Sequence, residues 1–164
     1  MATKAHTLQD LFVETLKDIY SAEKIILRAL PKMAKAANSN ELRQAFERHR
    51  DETEAQVERL ERVFELMERP ARAKTCEAIQ GMVEETKEVM DEFKGSEALD
   101  AGLVASAQAV EHYEISRYGT LKSWAGQLGM EEAAKLLDTT LQEEKKTDQI
   151  LTKIAESAVN RQAA

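Results

Sequence analysis

Apolar residues recur at three- and four-residue intervals along nearly the whole chain, and the recurrence breaks at only a few places. The first stripe is Leu8, Phe12, Leu16, Ile19, Ile26, Leu27 and Leu30. It predicts a helix over 8–37, opened by Thr7 with Asp10 three residues on and ended by Asn38-Ser39-Asn40. Pro31 falls inside this helix and should kink it. A second stripe, Leu42, Phe46, His49, Thr53, Gln56, Leu60, Val63 and Met67, predicts a helix over 41–68 that Pro70 stops. A shorter pattern over 74–93 closes at Gly95, with Ser96 as cap for the next helix. Leu99, Leu103, Ala107, Val110, Tyr118, Leu121, Ala125 and Leu128 then predict a helix over 97–128, ended by Gly129. Ala133, Leu137, Thr140, Leu151, Ile154 and Ala158 predict the last, over 131–159.

The connections select a topology. Tight turns join the first and second long helices, and the third and fourth, so each pair is an antiparallel hairpin. The long segment between the hairpins carries its own helix, which spans roughly 30 Å. That is nearly enough to return along the bundle and start the next helix at the far end. The expected fold is all-α, a ferritin-like antiparallel four-helix bundle with a long crossover carrying a short extra helix. Two equivalent halves are suggested by spacing: Glu23 to Glu114 and Glu52 to Glu143 are each 91 residues apart.

Composition agrees with this and narrows the function classes. At 164 residues the chain is read as one domain over 1–164, with 43% hydrophobic residues but only 5% aromatic. Its net charge of -7 is interleaved with basic residues and shows no basic stripe, which argues against a nucleic-acid partner. No apolar run approaches a membrane span, and the N-terminus MATKAHTLQD does not read as a signal peptide. The single Cys76 excludes an intramolecular disulfide and fits a reducing cytosol. A cytoplasmic protein is expected.

The polar residues inside the apolar stripes carry the chemistry. Glu23, Glu52, Glu114 and Glu144 each sit at the middle of one long helix, on or beside its inward face. Burying an unpaired carboxylate costs several kcal/mol or more, so four at one level suggest a positive charge between them. His49, Glu52 and Gln56 form a ladder on one face of the second helix; Glu111 and Glu114 are one turn apart, as are Glu144 and Asp148. Dinuclear carboxylate bundles need such a set, and oxygen-rich ligation with an imidazole suits iron or manganese better than zinc or copper. Six carboxylates exceed the charge of two divalent ions and equal that of two trivalent ones. The alternative is that these acids are boundary residues reaching for solvent and that His49 is a hydrogen-bonded core histidine. Tyr20 and Tyr118 flank Glu23 and Glu114 by one turn and are read chiefly as packed tyrosines, while His112 points away from the Glu111 face.

The string AQAVEHYEISRYGTL, residues 107–121, resembles the signature of the YciE/YciF-like family of bacterial ferritin-like stress proteins. The resemblance extends to DIYSAEK around Glu23, to His49-x-x-Glu52-Thr53-x-x-Gln56, to the segment from Cys76 to Gly81, and to LQEEKKTDQIL. It implies a rubrerythrin-like dinuclear metal site in a cytoplasmic stress protein that tends to dimerise. Carried onto this chain, the implied ligands are Glu23, His49, Glu52, Glu111, Glu114, Glu144 and Asp148. Two departures from the wider superfamily stand out. The second helix reads His-x-x-Glu in place of Glu-x-x-His, and Thr147 stands three residues after Glu144. The expected function is that of a two-iron protein, manganese being possible, reacting with oxygen or peroxide. A non-catalytic metal-binding or structural helical protein acting through a dimer surface is the second reading.

Overall fold

A computed structural model describes residues 6–164; the expectations for residues 1–5, including the absence of a leader, lie outside the described residues. Five long helices account for most of it: α1 (Leu8–Ala36), α2 (Asn40–Leu66), α3 (Glu77–Glu92), α4 (Ala98–Gln127) and α5 (Glu131–Ile154). A π-helical turn, Ala155–Val159, continues α5 into the short α6 (Asn160–Ala163). The fold is the expected all-α ferritin-like bundle. No helix of the described residues is long and apolar enough to cross a membrane.

The ends of the helices follow from their capping chemistry. Thr7 Oγ1 accepts from the Asp10 backbone N–H at 3.2 Å, and Asp10 Oδ2 accepts from the Thr7 N–H at 2.9 Å, a reciprocal box that starts α1. Pro31 lies within α1 without ending it. Leu8 is exposed and Leu27 only half-buried, so the core face of α1 is carried by Phe12, Leu16, Ile19, Ile26 and Leu30. Ser39 accepts from the Leu42 N–H at 3.3 Å and starts α2.

Neighbouring long helices run antiparallel. Contacts descend one helix as they climb the other: Glu52 meets Thr147, Gln56 meets Glu143, and Arg62 meets Glu132 across α2 and α5. Gln108 with Thr152 and Lys122 with Asp138 do the same for α4 and α5. Around the ring the order is α1, α2, α5, α4, with α3 packed across α1 and α4.

The crossover differs in detail from the sequence expectation. Residues 67–76 form a strap, not helix, tied to α1 by Lys74 N–H donating to Lys17 O at 3.1 Å and Cys76 N–H donating to Ser21 Oγ at 3.3 Å. Helix α3 therefore begins at Glu77 rather than Lys74. Gly102 lets α3 and α4 approach closely, since a Cβ there would meet Val89 Cγ1 at 2.6 Å. Ser96 does not cap α4: the N-cap position is Glu97, and no side chain bonds the first turn. The corner is instead held by buried Asp100, one turn in. Its carboxylate accepts from the Asn38 N–H at 2.8 Å and the Ser39 N–H at 2.7 Å, clasping the α1–α2 turn to the start of α4. At the other end of the chain the π-turn inserts a residue into the helical phase. Ala155 and Val159 are buried there, and Ala158, the position a regular helix would bury, is half-buried.

Removing the Asp100 clasp leaves two backbone N–H groups at a buried corner without their charged acceptor. Asp100→Ala is expected to lower folding stability by about 1.5–3 kcal/mol, measured by urea denaturation, with the helical far-ultraviolet spectrum retained. An unchanged denaturation midpoint would refute the clasp.

Candidate metal centre

Four helices each deliver at least one ionisable side chain to the same level of the bundle. Glu23 (α1), Glu111 and Glu114 (α4) and Glu144 (α5) are almost wholly shielded from solvent, and His49 (α2) is only 4% exposed. Each occupies a position in its helix's apolar stripe, so the periodicity that makes the core also carries these groups inward. No lysine or arginine is buried among the described residues. The carboxylates have no cationic protein partner except His49.

One ligand atom from each of His49, Glu111, Glu114 and Glu144 lies within 4.8 Å of the others, close enough for these groups to share a metal ion. His49 Nε2 is 2.9 Å from Glu111 Oε1 and 3.9 Å from Glu144 Oε2. The shorter contact has ion-pair distance but not hydrogen-bond alignment, so both ring nitrogens stay without an aligned partner. The same is true of both oxygens of Glu114, both of Glu144, Oε2 of Glu111 and Oε2 of Glu23. Buried polar atoms are nearly always satisfied, and a converging group of unsatisfied donors to cations is what a ligand set looks like without its ion. The residues present fit a hard divalent metal.

Glu23 is anchored from the side. The Tyr118 hydroxyl donates a short hydrogen bond to Glu23 Oε1, leaving Oε2 free to turn inward. Tyr118 is thus a packed tyrosine whose hydroxyl is spent on a candidate ligand. Tyr20 is buried against Phe64, and its hydroxyl donates to Glu61 at 2.8 Å, not to a central acid.

Two of the seven sequence-predicted residues stand apart from the buried set. Glu52 has a side chain 39% exposed; its Oε2 is 3.9 Å from His49 Nδ1 and accepts from Thr147 Oγ1 at 3.4 Å. Asp148 faces the α4–α5 flank, accepting from Gln108 Nε2 at 3.1 Å and lying 3.2 Å from His112 Nε2. Gln108 did not stand out in the sequence, and Thr147 did so only as a departure from the Glu-x-x-His pattern, although each is one turn from a central glutamate. Glu143, which the 91-residue spacing paired with Glu52, is also peripheral. It is held by Arg59 in two contacts of 2.6 Å and by Gln56 Nε2 at 3.1 Å.

The electrostatic consequence is a set of proton affinities far from ordinary. Burial pushes the Glu23 carboxyl up to about 7, against the lowering influence of the Tyr118 hydrogen bond. Burial also raises Glu114 and Glu144 well above the usual range, reinforced by repulsion from Glu23 at the first and from Glu111 at the second. For His49, burial alone would favour the neutral ring, but the Glu111 carboxylate leads the neighbours that outweigh it and raise its affinity. Glu52, half in solvent beside His49, is lowered. Metal ions compete for the same lone pairs as these protons.

The fold and this site define a class: a ferritin-like four-helix bundle with a buried carboxylate–imidazole cluster capable of holding metal. Within that class the chain belongs to the family described as Domain of unknown function (DUF892), whose model matches residues 7–164. It is 47% identical over 158 residues to Protein YciF of Escherichia coli (strain K12), covering 96% of this chain and 95% of that protein. The crystal structure of the E. coli stress protein YciF superposes with a TM-score of 0.91 at 46% identity, over 95% of this chain and 99% of that one. YcfI of Rhodopseudomonas palustris, described as a candidate structural protein, gives 0.88 at 42% identity, over 93% and 97%. The YciE/YciF-like resemblance in the sequence is thereby confirmed.

The proton affinities fix the sign of a pH dependence. In the unfolded chain Glu23 ionises near the ordinary 4.5, whereas in the folded metal-free protein it keeps its proton to about 7. Between those values the folded state binds more protons, so stability falls as pH rises, by about 3 kcal/mol for a shift of this size. Raised His49 acts in the same direction. Urea denaturation in chelator should therefore show a lower midpoint at about pH 7.5 than at about pH 5, and excess divalent manganese should reverse the order. A pH-independent midpoint in chelator would contradict the burial of these acids.

Proposed function

We propose that the buried centre holds two metal ions, iron with manganese as the alternative, and that the protein uses them for redox chemistry with oxygen or peroxide. The observation that carries this reading is the convergence of unsatisfied, fully buried ligand atoms on His49, Glu111, Glu114 and Glu144, with Glu23 beside them. Four buried glutamates supply the charge that balances two divalent ions, so the reduced centre is neutral without Glu52 or Asp148. One imidazole among carboxylates is a hard donor set, which favours iron or manganese over zinc or copper. Such ions, when bound, supply a reversible one-electron couple each and a Lewis-acidic position for a small oxidant.

The chain's own groups have separable roles in this scheme. Glu111 and Glu114, one turn apart on α4, would both be ligands to the metal. Glu144 and His49 close one side, and Glu23, steered by Tyr118, closes the other. Glu52 is the next ligand in reach, through its position beside His49. Asp148 would join only by leaving Gln108 and His112. Ile26, Ala107 and Val110, which line the space beside His49 and Glu111, give the centre apolar neighbours on that side. A homodimer in the cytoplasm, with no nucleic-acid partner, completes the proposal. The description of the R. palustris relative favours a second reading, in which the metal serves only to hold the bundle together.

Metal analysis after expression with iron or manganese should find about two ions per chain, and Glu114→Ala/Glu144→Ala should lose nearly all of them. Fewer than about one ion per chain in the unaltered protein would overturn the dinuclear reading. Peroxide or oxygen consumption on adding ferrous ion to the metal-free protein separates the two functions: consumption faster than in buffer supports redox chemistry, and its absence at full occupancy supports the structural role.

A further inference from the structure

A cleft that the ligand set does not explain approaches the centre from outside. A surface groove of about 450 Å³ runs between α1 and α3, with Arg28, Lys32 and Lys87 among its walls. Directly beneath it lies a small cavity of about 20 Å³, with His49 and Glu111 in its lining. Ala29, Met33, Val83 and Thr86 line both spaces, so the partition between them is a single layer of side chains.

The chemistry of that partition is selective. Apart from His49, Glu111 and Thr86, the inner cavity is lined by apolar residues, Ile26, Ala107 and Val110 among them. The Thr86 hydroxyl proton is spent on Met82 O at 2.7 Å, so it has none to donate to a visitor. A space of this size admits about one small molecule, and an apolar one has no hydration to lose on entry. Met33, unbranched and flexible, is the wall most able to move aside. A hydrated divalent cation would meet Arg28 and Lys32 at the mouth, where Lys87 is already paired with Glu84, and then an apolar neck. The opposite face offers it the half-exposed Glu52 carboxylate beside His49 instead.

We infer that the α1–α3–α4 cleft is the path by which molecular oxygen reaches the centre, with Ala29, Met33, Val83 and Thr86 as its selective neck. The inference rests on the proposed redox function for its purpose but not for its geometry. Only passage of an uncharged molecule is claimed, with no step at the metals.

The path can be read without any metal. In metal-free protein, dissolved oxygen is paramagnetic and should broaden and relax the methyl signals of Met33 and Val110 at least a few-fold more than those of Leu141 and Ala155, which are no more buried. Ala29→Leu, which adds bulk to the neck at a half-buried position, should abolish that excess at Val110 while leaving thermal stability near that of the parent. In protein anaerobically loaded with ferrous ion, the same variant should bind the unaltered amount of iron yet oxidise it several-fold more slowly in oxygenated buffer. Uniform relaxation of all buried methyls, or an excess confined to the Glu52 side, would overturn the path. If Ala29→Leu fails to fold, Val83→Leu provides the same reading from α3. Failure to bind iron would defeat the proposed function while leaving the oxygen-relaxation result to decide the path.

Discussion

The whole centre depends on four carboxylates being kept from water without a lysine or arginine to meet them. In a low-dielectric interior neither full ionisation nor isolation is tolerable, so the acids must share protons, share His49, or share metal ions. Each solution demands that the side chains converge to within a few ångströms. That demand explains why all four long helices contribute at one level. Moving one helix by a turn would strand a carboxylate against apolar neighbours, at a cost comparable to a large part of a domain's stability.

The architecture holds that convergence from its ends. Asp100 fixes the α1–α2 turn against the start of α4, and the strap at Lys74 and Cys76 fixes the crossover against α1. The Asp100 tie lies away from the acids, while the strap grips α1 at Lys17 and at Ser21, two residues before Glu23 and about 200° around the helix from it. The repulsion at the centre is thus confined by a rigid frame. Tyr118 is the one tie made inside it, and it fixes a single oxygen of Glu23.

Much of this was legible in the sequence because helical periodicity reports burial directly. His49, Thr53 and Gln56 were expected inward on α2 from their spacing with Phe46 and Leu60, and all are buried. Glu23, Glu111, Glu114 and Glu144 were found the same way. What periodicity could not report was phase error and lateral reach. Glu52 lies one residue before buried Thr53, so a rotation of about 100° per residue takes it toward solvent. Asp148 lies next to buried Thr147 and turns to Gln108 and His112 for the same reason. Residues 74–76 at the end of the strap and the π-turn at Ala155–Val159 were read as regular helix because neither changes the local composition. The first is set by hydrogen bonds to α1, and the second by the packing of the last turn.

Glu143 and Glu144 show that the unmet charge is selective. They are adjacent on α5, and α2 supplies an arginine within reach of that level. Arg59 spends its guanidinium on Glu143 and Thr140, at the flank, where partial solvation makes the pair inexpensive. Rotating the same cation inward would neutralise Glu144 but would carry a bulky, strongly hydrated group into the ligand cluster. The chain thus has a counter-ion one residue from the centre and places it outside. A cluster kept acidic beside an available arginine leaves its buried carboxylates able to hold an external cation, and it sets Glu143, tied to α2, apart from Glu144, which is not.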